Sequence, residues 1–164
     1  MTYLKIPATL RNYLIPQRVL QQTREFLRER GEHGVEGVVL WLGEIVDDET
    51  GSLLAAYVPE QVAIRSELGV AVEVTREGLT RLITSLPAGV FVLVRVHSHP
   101  TNAFHSDLDD TNMLISHTNA ISIVVPDFAR EPIVLEHCSV NELRHGVGWV
   151  ELDPAAVRAR FRVQ

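Results

Sequence analysis

The run Val90-Phe91-Val92-Leu93-Val94-Arg95-Val96 is almost continuously Val, Phe and Leu, and it passes without a break into His97-Ser98-His99-Pro100. A stretch of this kind reads as a strand covered on both faces, and Pro100 ends it. Residues i and i+2 of a strand project from one face, so the two imidazoles leave the strand end on the same side.

Working upstream, Thr75 can cap a helix whose Leu79, Leu82, Ile83 and Leu86 recur at helical spacing until Pro87 closes it. An earlier helix begins at Pro16, carries Val19, Leu20, Thr23, Phe26 and Leu27 at the same spacing, and meets a stop at Gly31. Residues 35–42, Val-Glu-Gly-Val-Val-Leu-Trp-Leu, predict a central strand apolar on both faces apart from Glu36. A turn at residues 47–51 leads into a returning strand at 53–58, and residues 60–74, mixed in pattern, predict a loop with a short strand.

Downstream, Ser106 opens a predicted helix reaching about His117. Residues 120–125 and 133–138 are β-rich and, joined by Pro126 to Pro132, predict a hairpin. Residues 147–152 predict a last strand, and Asp153-Pro154 opens a tail helix. Helices alternating with strands, several of them joined by hairpins, give an α+β or mixed α/β fold, a sandwich with a central sheet between helices.

A length of 164 residues suits one domain, residues 1–164, with its elements concentrated in about 16–150. Hydrophobic residues at 46% and charged residues at 22% exclude a wholly disordered, collagen-like or coiled-coil chain. Fifteen Lys and Arg against 21 Asp and Glu leave a net charge of −6, so neither nucleic acid nor an anionic membrane is an expected partner. Cys138, the single cysteine, makes no internal disulfide and fits a reducing compartment. The first 16 residues lack the apolar core of a signal peptide, and no stretch approaches the roughly 20 apolar residues that span a bilayer. The expectation is a soluble, cytoplasmic protein.

Four of the seven histidines, His97, His99, His105 and His117, fall within 21 residues. After His97 and His99 comes Ser106-Asp107-Leu108-Asp109, where Ser106 can cap a helix and Asp109 lies in its first turn, available as a third ligand. Two histidines and a carboxylate would leave one corner of a tetrahedral zinc ion open to water, whose pKa falls to about 7 at such a site. That water needs a proton acceptor. Glu36 is the leading choice as the sole charge in its apolar run, with Glu44 and then Glu32 as rivals flanking it. His105 reads as a loop residue, His117 as a helix-end residue, Asp110 as a solvated neighbour of Asp109, and Cys138 as a small buried hydrophobe. Arg158, Arg160 and Arg162 alternate with apolar residues in the tail as a solvated or partner-facing edge.

A Glu after the first helix, then His-x-His-Pro, then Ser-x-x-Asp, resembles the signature of the JAMM/MPN metalloproteases, also called JAB domains. Here it reads Glu36, His97-Ser98-His99-Pro100 and Ser106-Asp107-Leu108-Asp109. The likeness extends to the order of elements over about residues 16–150. It implies a curved mixed sheet flanked by helices, related to the cytidine deaminase-like sandwich, and one zinc ion per chain held by His97, His99 and Asp109. It also implies Glu36 as general base, Ser106 as a stabiliser of the oxyanion, and hydrolysis of an amide bond at the C-terminal tail of ubiquitin or a ubiquitin-like modifier. The chain lacks the length of the insertions with which eukaryotic members grip ubiquitin. Its compactness therefore resembles the prokaryotic members and points to a ubiquitin-like protein, a sulfur-carrier fusion or a small peptide. The alternatives are a non-catalytic MPN scaffold and a zinc hydrolase of small peptide or amino-acid conjugates.

Overall fold

The structure, a computed structural model, describes residues 5–67, 69–104 and 114–164. In chain order its elements are β1 (Asn12–Ile15), α1 (Gln17–Glu32), β2 (Val38–Ile45), β3 (Thr50–Tyr57), β4 (Gln61–Ser66), β5 (Gly69–Val74), α2 (Arg76–Ser85), β6 (Val90–Ser98), β7 (Ile121–Val125), β8 (Ser139–Arg144), β9 (Gly148–Glu151), α3 (Pro154–Arg160) and β10 (Phe161–Val163). Among the described residues, eight strands form one curled mixed sheet in the order β10-β1-β3-β2-β6-β7-β8-β9, and β4 and β5 form a separate two-stranded sheet. β1 runs parallel to β10 and β3, and β6 parallel to β7; the other neighbours are antiparallel.

Side-chain alternation divides this sheet into two faces. On one, Val39, Trp41, Val94, Val96, Ile121 and Ile123 pack with Val19, Leu20 and Leu27 of α1. On the other, Val38 and Leu40 pack with Val74 of β5 and Leu82 of α2. Both faces of β2 and β6 are thus covered, which is why their sequences are apolar without alternation. The α+β sandwich expected from the element pattern is the fold observed. No helix of the described residues is long and apolar enough to cross a membrane.

Helix starts follow the local signals. Thr75 Oγ1 accepts a hydrogen bond from Gly78 N at 3.0 Å to open α2, and Asp153 accepts from Ala156 N at 2.8 Å to open α3. Gly31 is not the stop it resembles. α1 continues through Glu32, and Gly34, at φ 67°, turns the chain instead. Gly31 is needed for another reason, because a Cβ there would stand 2.2 Å from Phe128 Cβ.

Several elements depart from expectation. β2 begins at Val38, leaving Glu36 just ahead of the ladder rather than inside it. Residues 60–74 form the β4–β5 hairpin; β4 is solvent-exposed along most of its length, so no amphipathic alternation announces it. Residues 133–138 do not form a strand. A short 3-10 turn at Leu135–His137 buries Leu135 without ladder bonds, and the strand pairing with β7 is Ser139–Arg144. β1 and β10 come from opposite ends of the chain and pair only with each other and β3, a non-local register with no local signal. Most of the helix expected over residues 106–117 lies outside the described residues, and residues 114–117 are not helical.

His117, expected at a helix end, is half-buried in the bend before β7, its carbonyl accepting from Ala120 N at 3.0 Å. Burial pushes its pKa down to about 4 from an ordinary 6.5. The folded state therefore favours the neutral ring, and this stability is complete above pH 6.5 and lost as pH falls toward 4. In denaturant titrations a His117→Phe variant should lose less stability than the parent between those two pH values, and equal losses would refute the assignment. At Gly31, helix propensity alone would make Ala better by about 1 kcal/mol. Overpacking against Phe128 should reverse that sign, and Gly31→Ala is expected to be destabilised by about 1–3 kcal/mol in the same titrations.

Candidate metal centre

β6 is a central strand paired with β2 over Val90–His97 and with β7 over Val94–Ser98, so its final residues are held from both sides. Val38 of β2 and Val124 of β7 both lie in register with His97. Beyond the ladder the antiparallel pairing continues by one residue. Ser98 N donates to Gly37 O at 3.1 Å, and Gly37 N donates to Ser98 Oγ at 3.2 Å. One further step along this register brings Glu36 level with His99. His99 N in turn donates to Val125 O at 2.9 Å, extending the β7 side past the strand end.

Alternation sends Ser98 toward the α1 face and His97 and His99 toward the other. All are buried, with His97 at 3% exposure, His99 at 6% and Glu36 at 7%. The two Nε2 atoms stand 3.3 Å apart. Two nitrogens about 2.0–2.1 Å from one tetrahedral ion are separated by about 3.3–3.4 Å, so the imidazole pair fits a shared cation without rearrangement. Phe104 sets its ring against that of His99, centroids 4.6 Å apart and planes inclined at 69°.

A turn unforeseen from sequence supports the His99 side. Asp127, Phe128 and Ala129 have φ values of 52°, 52° and 54°, three consecutive non-glycine residues in the left-handed region. Such backbone costs about 1–2 kcal/mol per residue and persists where its surroundings over-determine it. Here Asp127 N donates to Thr101 O at 2.8 Å and Phe128 N to His99 O at 2.9 Å, pinning both sides of Pro100, while the Phe128 side chain is buried against Gly31. In the sequence the matching signal is Gly31, which resembles a helix stop.

Of the other expected site residues, Ser106 and Asp109, with His105 and Asp110, lie outside the described residues. Among the described residues no group of three His, Cys, Asp or Glu side chains gathers as a metal site. Glu44 pairs with Val90, at the end of β6 remote from His97, and Glu32 extends into solvent beside Arg28. Neither shares the position of Glu36. Burial, with Glu136 beside it, pushes the Cys138 thiol up to about 12, so it stays protonated at neutral pH. The arginine tail is not a uniformly solvated edge. Arg158 pairs with Glu136 at 3.3 Å, and Arg160 pairs with the buried Glu142, which also holds Arg144 at 2.8 Å.

No family model matches the chain. Its fold is similar to that of the solution structure of protein DSY2949 from Desulfitobacterium hafniense, with a TM-score of 0.61 and 16% identity over 93% of this chain and 92% of that one. In sequence it is 35% identical, over 153 residues, to y4jG of Sinorhizobium fredii, described as a probable metalloprotease, and the match covers 93% of each protein. At that identity and coverage, the chain belongs to the family of this probable metalloprotease.

Proposed function

We propose that the chain is a zinc metallopeptidase of the JAMM/MPN type that hydrolyses an amide bond at the C-terminal tail of a ubiquitin-like modifier. The observation that carries this reading is the pair of buried imidazole nitrogens 3.3 Å apart at the end of β6, with buried Glu36 on the neighbouring segment. His97, His99 and Asp109 would hold one zinc ion per chain. When bound, zinc supplies Lewis-acid polarisation of the scissile carbonyl and acidifies water.

The protein's own residues do the rest. Glu36 accepts the proton of the attacking water and passes it to the leaving amine. Its burial keeps bulk water from competing for that proton, and the β2–β6 register, continued past Gly37 and Ser98, supports the role by bringing it level with His99. Ser106 stabilises the oxyanion.

The choice of a protein tail as substrate is supported by the β4–β5 hairpin. As a two-stranded sheet it keeps unpaired edges among the described residues, with Val62 at 48% and Ile64 at 43% exposure on one face of β4. Extended tails bind such edges through backbone hydrogen bonds, with apolar side chains seated alongside.

Glu36→Gln should retain zinc and lose about 10²–10⁴-fold in kcat, the usual contribution of a general base. His97→Ala and Asp109→Ala should lose the zinc as well. Metal analysis with cleavage of a ubiquitin-like protein fused through its tail to a reporter measures both. Parent-rate cleavage by Glu36→Gln, or full zinc content in His97→Ala, would refute the respective role. Cleavage of dipeptides with no cleavage of any fusion would refute the substrate class.

A further inference from the structure

The segment that carries Glu36 belongs to neither α1 nor β2, yet Val35, Glu36 and Gly37 are all buried. Buried backbone groups require partners. Val35 N donates to Arg30 O at 3.2 Å within the turn, and Ser98 at the end of β6 serves both groups of Gly37. Further bonds to this stretch and its flanks come from side chains on α1 and on the hairpin. Arg30 Nε donates to Glu36 O at 3.1 Å from α1. From the hairpin, Arg65 Nη2 donates at 2.9 Å to the carbonyl of His33, exposed and just ahead of the buried stretch.

Gln61 stands in for a missing strand. β3 pairs with β2 only as far as Leu40, opposite Tyr57, and then diverges. At Val38 the vacated edge is filled by the Gln61 carboxamide, whose Oε1 accepts from Val38 N at 2.8 Å and whose Nε2 donates to Val38 O at 2.9 Å. Nε2 also donates to Pro59 O at 3.0 Å, fixing the entry to β4. Gln61 and Arg65 are four residues apart on one strand and share a face. Their contacts at Val38 and His33 bracket Glu36 from both ends.

We infer that Gln61 and Arg65 are positioning residues through which the β4–β5 hairpin holds the backbone that aims Glu36. The hairpin and the general base then move as one unit, so a tail seated on the hairpin is also registered against the base. This rests on the reading of Glu36 given above. A merely structural prop would affect stability without affecting turnover in the folded protein.

The test uses the full zinc-loaded chain and three readouts: amide hydrogen exchange of residues 33–38, zinc affinity by chelator competition, and kcat on the tail-fused reporter well below the melting temperature. Gln61→Met keeps the length of the side chain and removes its hydrogen bonds. It should exchange at Val38 at least tenfold faster and lose at least tenfold in kcat, with zinc affinity within twofold of the parent. Arg65 is exposed and its substitution does not threaten folding; Arg65→Met should show the same pattern more weakly, and Arg65→Lys should restore most of it. Unchanged exchange, or faster exchange with parent kcat, would overturn the inference. Two failures are told apart: full activity in Glu36→Gln overturns the reading of Glu36, whereas full activity in Gln61→Met with Glu36→Gln inactive overturns the inference alone.

Discussion

The antiparallel register of β2 against β6, with Val38 opposite His97, is the constraint on which the candidate centre depends. It makes the start of one strand meet the end of the other. The residues just before β2 and just after β6 are thereby brought together although they are some sixty positions apart in sequence. Because the side-chain period is two, slipping this register by one residue would turn His97 and His99 toward the α1 core and bring Ser98 to the other face. Such a slip is costly because it would bury both imidazoles against the apolar residues that pack on α1. The packing that stabilises the sheet therefore also sets the geometry of the site.

Around that register the protein spends stability locally. Three left-handed residues at 127–129 and buried polar groups at 36, 97 and 99 are unfavourable when taken alone. They are held by features that make sense only together: a glycine in α1 that admits Phe128, backbone bonds on both sides of Pro100, and a side chain, Gln61, that replaces a strand beside Val38. Strained backbone and buried polar side chains coincide at this strand end, as they do at binding and catalytic centres.

Much of this was legible in the sequence because the relevant signals are short-range. The central strands, α1 and α2 follow from hydrophobic spacing and caps, and the placement of both imidazoles on one face follows from strand alternation. What escaped is non-local or lacks a pattern. β1 and β10 pair across nearly the whole chain, the hairpin is too exposed to show alternation, and residues 133–138 are buried by packing rather than by pairing. Glu36 reads as a charge inside a strand; it lies just before one, buried, and its level with His99 follows from continuing the β2–β6 register. The role of Gln61 carries no sequence signal and that of Phe128 only the ambiguous one of Gly31, since both act by satisfying or displacing backbone in three dimensions.

The kinship with a probable metalloprotease agrees with this geometry, and the similar solution structure, at 16% identity, shows that the sandwich tolerates extensive change in sequence. The central claim is that the end of β6 gathers a zinc ion through two imidazoles. X-ray absorption spectroscopy of the zinc-loaded protein tests it most directly. One zinc per chain, coordinated only by nitrogen and oxygen at about 2.0–2.1 Å with the scattering pattern of two imidazoles, is the predicted result. A sulfur ligand near 2.3 Å, or a protein that binds no zinc tightly, would contradict it.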